Sequence, residues 1–158
     1  ESNAQQRVQS MTTLLRTGAG MSLRTSKSIT FTGAANLGAI GNVPLFTTTG
    51  EVAVVYLVPF IVLTLAGAGA TLALGVANST ALFIAATLAT NLATGEFWTE
   101  STGGGTAEAG IALPAALKEI VISSNIVGTA AVAAITGGTL RLDVYYLPLS
   151  SDGTLVPA

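Results

Sequence analysis

No residue between Glu51 and Glu96 carries a charge. A stretch this long and apolar leaves water in one of two ways. It crosses a bilayer, or it is buried as strands inside a larger body. Hydropathy alone gives the first answer, because Val52 to Val76 is long enough to span. Four features favour the second. Val52-Ala53-Val54-Val55-Tyr56 is rich in β-branched residues, which suit a pleated sheet. Pro59 stands inside the strongest apolar run, where it would break or kink a helix. Gly67, Gly69 and Gly75 punctuate the residues beyond that run, and no basic cluster flanks either end to anchor a span. The segment reads as two buried strands joined by the turn Ala66-Gly67-Ala68-Gly69, and a membrane location is not expected.

The rest of the chain has the same texture from Ser28 onward. Ser28-Ile29-Thr30-Phe31-Thr32 alternates polar and apolar, as a half-buried strand does. Pro44 to Thr49 leads to a turn at Gly50. Thr80 to Leu92 reads mainly as strand, and Gly95 to Thr99 opens a short one. Glu119 to Val127 and Thr129 to Thr136 are two more. Leu140 to Leu147 alternates most clearly, with Leu140, Leu142, Val144 and Tyr146 on one face and Arg141, Asp143 and Tyr145 on the other. Seven to nine short strands separated by Gly and Asn turns predict an all-β fold, a jelly roll or β-sandwich. At 158 residues the chain is of single-domain length.

Residues 1–27 differ. Val8, Met11, Leu14 and Leu15 fall on one short helical stripe, and Gly18 and Gly20 would end it. The segment reads as an extended or short-helical arm before an assembly domain at 28–158. It is also basic: Arg7, Arg16, Arg24 and Lys27 against Glu1 give 4 − 1 = +3, while the remainder gives 2 − 7 = −5. A basic arm on an acidic body suits docking onto an acidic partner. Arg7, Val8, Met11, Leu14, Leu15, Arg16, Arg24 and Lys27 are the candidate partner contacts.

Only 9% of residues are charged, against roughly 25% in ordinary soluble domains. Such a surface is expected to be covered by partners. The apolar faces around Val52–Leu65 and Ala70–Ala77 are the expected sites of self-association, in a homo-oligomer and most simply a trimer. The chain has no histidine and no cysteine, which removes most nucleophile–base pairs, zinc sites and disulfides. Gly103-Gly104-Gly105 lacks the Lys-Ser or Lys-Thr of a phosphate loop. Glu96, Glu100 and Glu108 match no calcium-loop spacing. Six basic residues without interleaved aromatics do not make a nucleic-acid face. Enzymatic activity, a cofactor and a bound metal are therefore not expected.

Ser28-Ile29-Thr30-Phe31-Thr32-Gly33-Ala34-Ala35-Asn36-Leu37-Gly38-Ala39, then Val43-Pro44-Leu45-Phe46 and Thr49-Gly50-Glu51-Val52, resembles a segment of predicted structural proteins of tailed phages. The resemblance continues at Gly95-Glu96-Phe97-Trp98 and at Tyr146-Leu147-Pro148-Leu149-Ser150-Ser151-Asp152-Gly153, in the same order. It implies a virion component: a head decoration protein, a head-fibre base or a tail-associated subunit, often a trimeric β-sandwich or jelly roll. The function it implies is a capsid decoration or cement subunit on the phage head, bound to the major capsid protein or other virion subunits. The alternative is a tail- or fibre-associated module that recognises host glycan through Phe97, Trp98 or Tyr145.

Overall fold

The computed structural model describes residues 22–102 and 112–158. Among them are nine strands: β1 (Leu23–Thr30), β2 (Gly41–Thr49), β3 (Val52–Ala66), β4 (Thr71–Val76), β5 (Ser79–Leu88), β6 (Lys118–Ile122), β7 (Ile126–Ala131), β8 (Gly137–Pro148) and β9 (Thr154–Pro157). The described helices are single 3-10 turns at Ala89–Asn91 and Ala115–Leu117, and none is long and apolar enough to cross a membrane.

The wiring starts from one hairpin. β4 and β5 pair antiparallel, and outward from them β3 pairs β6, β2 pairs β7 and β1 pairs β8. The chain is thus one long folded ribbon. Rolling the ribbon brings β3 beside β8 and β4 beside β7. The result is two sheets, ordered β1-β8-β3-β6 and β5-β4-β7-β2-β9. That is the strand order of a jelly roll, with β9 added along β2.

Between the sheets lies one core. Leu140, Leu142, Val144 and Tyr146 point into it from β8, as the alternation predicts, against Val54, Leu57 and Ile61 from β3. Facing them across the sandwich are Val43, Leu45, Leu72, Leu74 and Ile126. The uncharged run therefore divides as expected into β3 and β4, but the Gly67–Gly69 turn carries the chain from one sheet to the other. β4 is buried along nearly its whole length, so the apolar Ala70–Ala77 segment is covered by its own domain and is not free for a subunit contact.

Pro59 sits where a proline can be tolerated. β6 pairs β3 only from Val52 to Tyr56, and beyond that the segment 92–98 lies along the same edge. Trp98 N–H donates to the Pro59 carbonyl at 3.1 Å. In an antiparallel ladder a residue's N and O point the same way, so the missing N–H faces this loose edge and not β8.

Four elements differ from the sequence reading. Gly95–Thr99 is not a strand but this strap, held on β3 by one isolated bridge from Phe97 to Phe60 and by backbone hydrogen bonds to Ile61 and Pro59. Thr129–Thr136 is not a strand of its own: residues 129–131 end β7, and 132–136 lie in no strand. Glu119–Val127 is two strands in different sheets, interrupted at Ser123-Ser124-Asn125. β1 begins at Leu23, not Ser28, so the boundary placed at residue 27 falls inside a strand. An edge strand with one neighbour need not be apolar, which is why Arg24-Thr25-Ser26-Lys27 does not look like a strand.

Candidate interaction faces

The sandwich presents two outer surfaces of unlike chemistry. On the four-stranded sheet the register lays out rows of cross-strand neighbours. Val121, Ala53 and Leu147 form one row; Lys118, Tyr56, Tyr145 and Arg24 the next. Beyond these come Val58, Asp143 and Ser26, then Phe60, Arg141 and Ser28. Directly opposed side chains on one face lie close enough to interact, so these rows are physical units.

Asp143 organises the centre. Arg24 Nη2 donates to its Oδ1 at 2.5 Å, and Arg141 Nε donates to its Oδ2 at 3.1 Å. Arg141 also lies over the Phe60 ring, 4.8 Å from its centroid. Burial works against ionising the Asp143 carboxyl. Hydrogen bonds from Ser26 and Arg24 and the charges of both arginines outweigh it and hold the group below the usual aspartate range. Two cations around one anion leave the cluster with a net positive charge.

The depression sets the sign of the pH effect. The stabilisation is fully present above the unfolded-state value, about 3.9, and is lost as pH falls through the lower folded-state value. Asp143→Asn is expected to lower stability at pH 7 by about 1–2 kcal/mol, modest because both guanidinium groups are open to solvent. Below about pH 4 the variant and the native chain should begin to converge. Urea titrations at pH 7 and pH 3 check both points, and equal differences at the two pH values would remove Asp143 as the cause.

Beside this cluster is an open groove of about 290 Å³ lined by Ala53, Val55, Tyr56, Glu119, Val121 and Leu147. A second cleft, about 500 Å³, opens at the rim between β1 and β2, where Lys27 Nζ donates to the carbonyls of Pro44 (3.1 Å) and Ala158. Partial burial pushes the Lys27 ammonium below the usual lysine range.

The five-stranded sheet is different. β2, β4, β5, β7 and β9 contain no Asp, Glu, Lys or Arg. Its exposed side chains are small or uncharged, among them Pro44, Thr47, Ala81, Ala85, Ala86 and Val156. Every charged residue that lies in a described strand is on the other sheet: Arg24, Lys27, Lys118, Glu119, Arg141 and Asp143.

The predicted contact residues separate accordingly. Arg7, Val8, Met11, Leu14, Leu15 and Arg16 lie outside the described residues. Arg24 and Lys27 do not belong to an arm: both are in β1 and bonded within the sandwich. Moving the boundary leaves residues 1–21 with Arg7 and Arg16 against Glu1, 2 − 1 = +1, so much of the arm's expected basic character belongs to the sheet. Of the aromatics proposed for glycan, Trp98 is wholly buried and its indole N–H donates to Thr87 Oγ1 at 2.9 Å, so it offers no stacking face. Phe97 packs on Phe60, with ring centroids 5.1 Å apart, and Tyr145 meets Tyr56 edge-on at 6.3 Å. Glu96 accepts a hydrogen bond from Ala93 N–H at 3.1 Å, and Glu108 lies outside the described residues.

Known protein families, curated proteins and solved structures give no match to this chain.

Proposed function

We propose that this chain is a structural subunit of a tailed-phage virion, a decoration protein that assembles with copies of itself and binds the major capsid shell. The observation that carries the reading is the segregation of charge between the two sheets. A plate with one uncharged face and one face bearing Arg24, Lys118 and Arg141 against Asp143 and Glu119, 3 − 2 = +1, suits a subunit covered on both sides. The uncharged face can be desolvated without stranding an ion, and the cationic face is complementary to an acidic shell. The ordered resemblance over residues 28–153 supports the virion as the setting. The work done is mechanical: buried area added between capsid subunits resists expansion of the head.

The test mixes the full chain with purified undecorated heads and follows co-sedimentation. Saturable binding that weakens as salt rises is expected, because exposed charge contacts are screened. Removing residues 1–21, and not 1–27, leaves β1 intact; this deletion is expected to abolish attachment while the far-ultraviolet dichroism of the sandwich persists. Decoration by the truncated chain would remove the arm from the mechanism. No binding by the full chain at any salt concentration would overturn the reading.

A further inference from the structure

We propose that the groove on the outer face of the four-stranded sheet is the seat of residues 1–21 of the same chain, entered by Val8, Met11, Leu14 and Leu15. This goes beyond the proposed function, because it holds whatever partner the completed face then meets.

The groove comes from a fault in the pleat. β3 shifts register on β8 between Val54 and Tyr56, so it carries one residue more than β8 there. Abreast of this bulge on β6, Glu119 has a φ of +58°, which a residue with a side chain rarely adopts. A bulge bends its strand, and here the outer side of the sheet opens into the groove of about 290 Å³. Glu119 is the one ion in a lining that is otherwise Ala53, Val54, Val55, Tyr56, Val121 and Leu147. Val121 is 60% exposed and Tyr56 38%, so an apolar surface faces water at this point.

Three observations name the occupant. The first is where residues 1–21 join the sandwich. Leu23, which opens β1, pairs with Tyr146, the neighbour of Leu147 in the groove wall. The second is reach. Seven residues separate Leu15 from Leu23, a span of about 25 Å when extended, while β6 lies about 15 Å from β1 across β8 and β3. The third is chemistry. A short apolar stripe is marginal in water and needs a surface to cover it, which the groove provides. Arg7 and Arg16 flank the stripe in sequence, and Glu119 makes no ion pair among the described residues. The groove thus offers both apolar contact and a carboxylate to a segment that carries apolar side chains between two cations.

The experiment is a double-mutant cycle on the full chain, read as melting temperature by dichroism. One arm is Val121→Asn in the groove, and the other is Leu14→Asn with Leu15→Asn in the stripe. Each arm alone is expected to lower the melting temperature by about 3 °C, and the combination by no more than either. Additive losses would overturn the inference. If Val121→Asn then also weakened co-sedimentation with heads, the groove would belong to the shell and the proposed function would stand. The chain has no cysteine, so Leu15→Cys with Val121→Cys tests the contact directly. On mild oxidation this pair is expected to close within one chain at least tenfold faster than Leu15→Cys with Thr47→Cys, on the other sheet. Equal rates would overturn the inference. So would a disulfide joining two chains, which would seat the segment on a neighbouring copy.

Discussion

Replacing Trp98 by alanine is expected to cost about 3–5 kcal/mol of stability, the range for emptying a fully buried large aromatic site. In a domain of this size that corresponds to a melting temperature lower by roughly 10 °C or more. Trp98 is 0% exposed, belongs to the strap that covers the loose edge of β3, and donates its indole N–H to Thr87, itself a fully buried hydroxyl. The substitution removes the ring volume and withdraws the donor from Thr87 Oγ1. Because Trp98 is the only tryptophan, dichroism or calorimetry must follow the variant, while a blue-shifted emission of the native chain reports the burial directly. A loss below about 1 kcal/mol would show that the ring is not a core element. The same measurement separates packing from recognition, since a tryptophan held out for a sugar would be lost with little change in melting.

Gly138→Ala is expected to be nearly as damaging, about 3 kcal/mol, through two effects that add. Its φ of +100° is a conformation that residues with a side chain rarely adopt. A Cβ there would also stand 2.5 Å from the Thr64 carbonyl oxygen and 2.6 Å from Leu65 Cα, both backbone atoms of β3. The position is where the β3–β8 ladder shifts register between Leu63 and Ala66, and the close approach lets the strands stay together across the shift. Gly95→Ala is the control. Its φ is +88°, but nothing lies within 4 Å of the added carbon, so only backbone strain remains, about 1–2 kcal/mol. Equilibrium unfolding of the two variants side by side measures the close approach as their difference, and equal losses would show that contact contributes nothing.

What the sequence disclosed depended on how much of each strand was decided locally. β8 was legible because its two faces meet opposite environments, core for Leu140 to Tyr146 and surface for Arg141 to Tyr145, and alternation records that directly. β3 and β4 were legible through composition. Chain crossings between sheets were not, because they are specified by distant partners. The break at Ser123-Ser124-Asn125 is held by Asn125 Oδ1 accepting from Thr48 N–H at 2.9 Å and by the Ser124 carbonyl accepting from Thr48 Oγ1 at 3.0 Å. Nothing in Glu119–Val127 alone announces Thr48. β9 escaped notice for a related reason: four residues after Asp152-Gly153 become a strand only because the β2 edge at Phe46–Thr49 is free to receive them. The site obeyed the same logic. Arg24 and Lys27 looked like an arm by charge, and it is Asp143, far along the chain, that makes Arg24 part of a sheet. The contrast between sheets could not be seen until the strands were sorted, since β3 carries no charge yet lies in the charged sheet, and the charged strands β1, β6 and β8 are scattered among uncharged ones along the sequence.

The nested pairing of the ribbon also governs how the molecule comes into being. β1 matches β8 through pairs such as Leu23 with Tyr146 and Ile29 with Leu140, which join nearly the two ends of the described chain. Loop closure of that length is deferred until most of the polypeptide is present, and topologies dominated by such distant pairs fold in milliseconds to seconds or slower. Throughout that interval the strands without charge, β4 and β5 above all, are exposed with no gatekeeping ion to discourage pairing with another nascent chain. Yield during synthesis is accordingly set by a race between closing β1 onto β8 and aggregation through β4 and β5, and slower translation or a chaperone that shields those strands should favour the native roll.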